Sequence, residues 1–220
     1  MSNSPILLLR LEGMLQSWGE RSRFNQRDTA FMPTKSGIIG LIACAMGLER
    51  GSPQIVNLCN SLKMSVRADR PGVLLRDYHT VMGNIMTASG KLRGKVNEDS
   101  TIVTARHYLQ DASFLVALSG DEDILERCNQ ALQSPVWQIF LGRKSCVPSC
   151  PVSIGIVRDY ASLDDVMYNY PVRRGAQSII LCEIEDSFGE ILRNDIPTVA
   201  PMKTYNSRSV KMHAMKPGVI

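Results

Sequence analysis

The stretch Leu62-Lys-Met-Ser-Val-Arg-Ala-Asp69 alternates apolar and polar residues without a break over eight positions. In an extended chain successive side chains point to opposite faces. The pattern therefore commits this segment to a half-buried strand, with Leu62, Met64, Val66 and Ala68 turned to a core and Lys63, Ser65, Arg67 and Asp69 turned away. A sheet is required, and the rest of the chain must supply its other strands. Residues 6–11 are a short, nearly all-apolar run closed by Gly13, too short for a helix and read as a buried strand. Residues 112–118 have the same character. Between them, Pro33-Thr34 opens a segment with Ile38, Leu41, Ile42 and Ala45 at helical spacing, widened by Ile39 and Met46. Residues 121–132 repeat that spacing with Ile124, Leu125, Cys128, Ala131 and Leu132, behind an acidic first turn that suits the helix dipole.

Residues 136–141 are read as one further strand, and 62–69 is expected to continue through a kink at Pro71-Gly72 into 73–79. The resulting order of strand, helix, strand, strand, helix, strand is that of an α+β, ferredoxin-like (RRM-like) βαββαβ domain, assigned to residues 1–150. Two additions remain. Residues 80–104 join the second and third strands and are far longer than a hairpin turn, so they are a functional insertion or a disordered one. After residue 150 comes a small β-rich C-terminal region, 151–220, with a short helix at 163–168 and a hairpin of 179–185 with 190–193 around Phe188-Gly189.

With 220 residues and 44% hydrophobic content, the chain can bury a main core and a smaller one, which excludes a wholly disordered protein. A net charge of +4 and a pI near 8.8 lean basic without reaching the level of an autonomous nucleic-acid-binding domain, so any such role must rest on local clusters. Charge is segregated: residues 201–220 hold Lys203, Arg208, Lys211 and Lys216 and no acid, while 121–126 hold four acids and no base. The six cysteines form no framework and suit a reducing, cytoplasmic setting. Ile6-Leu-Leu-Leu9 is too short for a signal segment and no run approaches membrane length, so no membrane partner is expected. Cys146-Val-Pro-Ser-Cys150 has the spacing of half a zinc site but lacks a second pair, and no metal or other cofactor is expected.

Lys91, Arg93 and Lys95 alternate with glycine and leucine, which in an extended ribbon sets three cations on one side, as a phosphate backbone requires. Met82, Ile85 and Met86 offer an apolar wedge against a base; a solvated loop is the competing reading. Pro33-Thr-Lys-Ser-Gly37 places Lys35 and Ser36 at a helix start, where an anion is favoured, although Thr34 or Ser36 acting as a helix cap explains the same residues. Gly142-Arg143-Lys144 is either a phosphate contact or an exposed turn. Arg76-Asp-Tyr-His-Thr80 and Arg106-His-Tyr108 flank the insertion. If it folds as a hairpin, Tyr78, His79, His107 and Tyr108 converge at its base, and histidine, tyrosine and lysine are the groups from which a metal-independent ribonuclease draws its base, acid and cation.

The blocks Leu11-Glu-Gly-Met-Leu-Gln-Ser-Trp-Gly19, Pro33-Thr-Lys-Ser-Gly37, Arg76-Asp-Tyr-His-Thr-Val81 and Leu141-Gly-Arg-Lys-Ser-Cys146, with Lys203-Thr-Tyr-Asn-Ser-Arg208 in the tail, together resemble the CasD family. These are the crRNA 5′-handle subunits of type I-E CRISPR Cascade, within the RAMP superfamily. The resemblance runs from Ile6 to Arg208, with Met14 where the family has proline. It implies that the insertion is a thumb β-hairpin. It also implies a non-catalytic subunit that binds the crRNA 5′ handle and caps a filament, with a CasC-type backbone subunit and a CasA-type large subunit as partners and target DNA met only indirectly. Contacts to RNA are then expected from Gln16, Trp18, Lys35, Ser36, Arg76, Tyr78, His79, Met82, Lys91, Arg93, Lys95, Arg106, Arg143, Lys144 and Arg208. The alternative is a metal-independent endoribonuclease that processes CRISPR repeat RNA, as type I-C relatives do; in type I-E systems that task belongs to CasE. An RRM-like RNA chaperone is disfavoured, since residues 112–118 offer only Phe114 for stacking.

Overall fold

The apolar runs at 6–11 and 112–118 lack polar alternation because both lie in the middle of a sheet that is covered on its two faces. The computed structural model describes residues 3–22, 25–83, 86, 89–91, 100–176, 179–198 and 204–216. In chain order its elements are β1 (Ile6–Glu12), β2 (Leu15–Gln16), β3 (Gln26–Arg27), α1 (Lys35–Ala45), α2 (Pro53–Ser61), β4 (Lys63–Arg70), β5 (Val73–Gly83), β6 (Ser100–Gln110), β7 (Ser113–Ser119), α3 (Glu122–Gln133), β8 (Ser153–Val157), α4 (Leu163–Asn169), β9 (Ile180–Glu185), β10 (Ile191–Pro197) and β11 (Tyr205–Met215). Seven strands form one antiparallel sheet in the order β10-β11-β9-β4-β7-β1-β8. A second sheet carries β2 and β3 along one edge of β6, with β5 on the other.

Against one face of the large sheet pack α1, α2 and α3, whose Ile38, Ile42, Leu58, Leu125 and Cys128 meet Leu7, Leu9, Val66, Phe114 and Val116. Against the other face packs α4, whose Leu163, Val166 and Met167 meet Ile6, Leu8, Leu115, Ala117 and Cys182. Both sets of alternating side chains on β1 and β7 are therefore buried, as in sheets covered on both sides. The helices begin where side chains replace missing backbone partners: Thr34 caps α1, Ser52 caps α2 ahead of Pro53, Asp121 caps α3 and Ser162 caps α4. Among the described residues, no helix is long and apolar enough to cross a membrane.

The outer face expected for β4 is not solvent. Arg67 and Asp69 are wholly buried beneath α4. Arg67 Nε donates to Asp69 Oδ1 at 2.7 Å, and its amino groups donate to the carbonyls of Met167, Tyr170 and Pro171 at 2.8, 2.8 and 3.1 Å. These are carbonyls at the C-terminal end of α4, which a helix cannot satisfy by itself. Arg10 Nη1 and the Arg173 backbone N–H complete the shell of Asp69 at 2.7 and 3.1 Å.

Three further expectations are corrected. Residues 136–141 form no strand; the place beside β1 belongs to β8, from beyond residue 150, so residues 1–150 alone do not complete the sheet. Residues 179–185 and 190–193 do not pair as a hairpin, because β11 lies between β9 and β10. The strand after Pro71-Gly72 leaves the large sheet altogether and pairs with β6.

Candidate nucleic-acid interface

β5 and β6 pair over eleven rungs, from Val73 opposite Gln110 to Gly83 opposite Ser100. Tyr108 and Leu109 anchor the base of this hairpin in the core. Residues on one rung share a face, and faces alternate along each strand. One face carries Leu74, Arg76, Tyr78, Thr80 and Met82, with His107 directly opposite Arg76. No acid lies on the described rungs of that face. Tyr78 is 69% and Met82 75% exposed, unusual values for apolar groups on a strand. An aromatic ring and a thioether beside a guanidinium suit unstacked bases and their phosphates. The other face carries Asp77, His79 and Val81, with Arg106 opposite Asp77. Its charge is partly spent internally: His79 Nδ1 lies 3.6 Å from Asp77, and Arg106 Nε donates to Thr104 Oγ1 at 3.2 Å. Lys91 is exposed, whereas Arg93, Lys95, Ile85 and the tail residue Lys203 lie outside the described residues.

The hairpin forms, yet the four residues expected to converge at its base divide between its faces. Tyr78 and His107 share one, two rungs apart; His79 and Tyr108 share the other, four rungs apart. The period of two in a strand separates Tyr78 from His79. Nδ1 of His107 is buried without a hydrogen-bond partner.

Several expected contact residues are turned inward. The Gln16 amide is fully buried, donating to the carbonyls of Leu11 and Ala112 at 3.0 and 2.9 Å and accepting from Trp18 Nε1 at 3.2 Å. Trp18 is 1% exposed and packs in the main core. Neither offers a surface to RNA in this conformation. At the start of α1, Thr34 Oγ1 accepts from the Gly37 N–H at 3.2 Å, as a cap does. The anion seat there is filled from within: Asp195 accepts from the Lys35 N–H at 2.7 Å, and Lys35 Nζ reaches both Glu185 oxygens at 3.0 Å. Ser36 is half-buried beside Thr34.

Arg208 belongs to the same buried cluster, donating to Asp195 at 2.8 and 3.0 Å and to Glu183 at 2.7 Å. Burial pushes the Glu183 carboxyl above its ordinary value, only partly offset by Arg193 and Arg208. Burial works against the Arg208 charge, but the hydrogen bond and charge of Asp195, with Glu183, outweigh it and hold the guanidinium above its ordinary value. Arg193 carries the network to Glu20 at 3.3 Å, at the start of the Arg-rich loop. These charges hold the C-terminal strands to α1.

Arg143 is half-buried and fully engaged with backbone, whereas Lys144 is exposed. Sequence reasoning passed over Arg27 and Gln26, exposed on β3 alongside Arg106 and Ala105. The signal was the Arg-rich passage at 21–27. Asp28 folds that passage back by accepting from the backbone N–H of Arg21 at 2.7 Å and from Ser22 Oγ at 2.6 Å. Among the described residues, no group of three or more His, Cys, Asp or Glu side chains is arranged to hold a metal.

Residues 6–220 match the model of the family described as CRISPR-associated protein (Cas_Cas5). The chain belongs to the CasD/Cas5 family. Among Cas5 relatives, the CRISPR system Cascade subunit CasD of Escherichia coli (strain K12) is 36% identical over 161 residues, 68% of this chain and 70% of that protein. A chain of a solved CRISPR RNA-guided surveillance complex superposes with a TM-score of 0.77 at 34% identity, covering 96% of this chain and 90% of its own length. A second Cas protein, known from a crystal structure, gives 0.71 at 34% identity over 96% and 95%. The mixed helix-and-sheet architecture described above is thus that of solved Cas5 structures.

Proposed function

We propose that this Cas5 chain is the non-catalytic subunit that grips the 5′ handle of crRNA and caps the filament of a type I-E Cascade in the cytoplasm. In this reading it sits against a CasC-type backbone subunit and a CasA-type large subunit and meets target DNA only through the guide. The observation that carries it is the hairpin face whose described rungs hold no acid and on which Arg76, Tyr78 and Met82 are exposed together. A guanidinium positions phosphate, while an exposed ring and thioether hold splayed bases. Lys91, Lys144 and Arg27 add cations, with Arg93 and Lys95 proposed to extend them along the thumb insertion of residues 80–104.

The strand order β4-β7-β1-β8, with α1 and α3 on one face, supports a ferredoxin-like βαββαβ unit. We take the division into 1–150 and 151–220 as one of role: the first region bears the RNA surface, and the second bears the strands that brace it. A repeat-processing nuclease is disfavoured, because Tyr78 and His79 point to opposite faces and the histidine that shares the Tyr78 face, His107, has its Nδ1 buried away from solvent. The test is a metal-free incubation of the purified chain with end-labelled repeat RNA on a denaturing gel, beside a Tyr78→Phe, His79→Ala variant. RNA left intact by both agrees with the proposal. Cleavage lost in the variant overturns it.

A further inference from the structure

We infer that Arg143 is a positioning residue that sets the pose of the hairpin and of β3, and that it makes no contact with RNA phosphate. The inference rests on the reading of the hairpin as the RNA-binding element. Arg143 Nη1 donates to the His107 carbonyl at 3.1 Å, and Nη2 donates to the carbonyls of Arg27 and Asp28 at 2.9 and 3.1 Å. Its guanidinium carbon sits 4.6 Å from the centre of the Tyr108 ring. Both an end-on fork (Nη1 with Nη2) and a side-on fork (Nε with Nη2) on a phosphate need Nη2, whose two N–H groups are taken by the Arg27 and Asp28 carbonyls.

The loop that presents Arg143 is itself held in place. Leu141 N–H donates to Cys146 O at 2.7 Å and Cys146 N–H to Arg143 O at 2.8 Å. Gly142 has φ +91°, and a Cβ there would lie 1.8 Å from the Ser17 carbonyl oxygen, so the loop is pressed onto Ser17 with no room for a side chain. Ser17 N–H in turn donates to Leu141 O at 3.1 Å, and Ser17 Oγ to the same His107 carbonyl at 3.1 Å. One carbonyl on β6 thus gathers β6, the Ser17 segment and the 141–146 loop, and Arg143 adds β3 to them. His107 lies opposite Arg76, so the clamp grips the hairpin at the root of the face that carries Tyr78 and Met82.

A lysine at 143 has one ammonium and cannot span three carbonyls while stacking on Tyr108, although it would still serve a phosphate as a point charge. The test therefore compares the full chain with Arg143→Ala and Arg143→Lys, read by amide hydrogen exchange and by fluorescence anisotropy of an oligouridine RNA across a salt series. In both variants the amides of residues 25–30 and 103–108 should exchange at least roughly tenfold faster while those of β1 and β7 are unchanged, a local opening that general destabilisation would not produce. RNA affinity should fall in both with the salt slope preserved, whereas Arg76→Ala should lower the slope by about one. Unchanged exchange in both variants overturns the inference. So does wild-type affinity in Arg143→Lys with about one unit of slope lost in Arg143→Ala. If the wild-type chain binds no RNA at any salt, the RNA-binding reading fails, and the exchange data alone decide whether the clamp exists.

Discussion

Arg67 shows what a single buried charge does here. With Nε on Asp69 and both amino groups on the end of α4, it satisfies the carbonyls of Met167, Tyr170 and Pro171 together. Arg67→Ala would leave Asp69 buried with Arg10 and one backbone N–H, and should cost about 3–5 kcal/mol, seen as a lower urea midpoint at unchanged slope. Glu12 gives a pH-dependent counterpart. Burial pushes its carboxyl up, but hydrogen bonds from Arg173 and Ser113, with the charges of Arg173 and Arg70, outweigh it and hold it below its ordinary value of 4.5. The folded state then binds fewer protons than the unfolded one. The contribution of Glu12 is complete above pH 4.5 and is lost as pH falls through the lower folded value. Glu12→Gln should therefore be less stable than wild type in urea at pH 7, with the gap closing in acid. The alternation at 62–69 revealed which side of β4 each residue takes, but not that α4, a hundred residues later, would cover the polar side. Lys35 and Arg208 escaped the sequence for the same reason: their acidic partners Glu185 and Asp195 lie far away along the chain or on another strand.

Among the elements, the locally encoded ones were legible. β1, α1, β4, β7, α3 and α4 have either a clear period or a capping residue within one turn, and all six appear where the pattern put them. α2 was passed over although Ser52 caps it ahead of Pro53, because its nine residues bury only Leu58 and Cys59, an apolar stripe too short to stand out. The run at 136–141 is apolar but leads into the tight 141–146 loop, while β8, Ser-Ile-Gly-Ile-Val, has too few side chains to announce a strand. The insertion of β11 between β9 and β10 is a non-local pairing that adjacent segments cannot reveal. The hairpin was legible as an insertion, and its register then decided which of Arg76, Tyr78 and His79 act together. Replacing residues 81–102 with Asn-Gly should leave core stability within about 0.5 kcal/mol, because the removed rungs lie beyond the anchored base. RNA affinity should fall roughly tenfold as Met82 and the cations of residues 91–95 go, while Arg76 and Tyr78 stay. Gly142→Ala places a Cβ against the Ser17 carbonyl at φ +91°. It should lower stability by about 1–3 kcal/mol in thermal melts and open residues 103–108 as the Arg143 variants do.

At the scale of the molecule, one sheet with a core on each face provides a rigid base, and the hairpin leaves it at Pro71-Gly72 with its foot clamped by Arg143. The buried cluster of Lys35, Glu185, Asp195 and Arg208 fastens the C-terminal strands to α1 and turns those two cations inward, whereas Arg76, Lys91 and Arg27 are exposed on the hairpin and on β3. In the proposed reading RNA lies along the hairpin while the bracing charges stay inside. The most direct test is to co-express the chain with the remaining subunits of a type I-E Cascade and a CRISPR array, purify the complex, and map ultraviolet cross-links between protein and crRNA. Cross-links are expected from the 76–82 segment, Tyr78 and Met82 foremost, to the 5′ handle, and their loss together with bound crRNA in an Arg76→Ala, Tyr78→Ala, Met82→Ala variant. Cross-links confined to the guide or the 3′ end, or full crRNA content in that variant, would contradict RNA binding by this face.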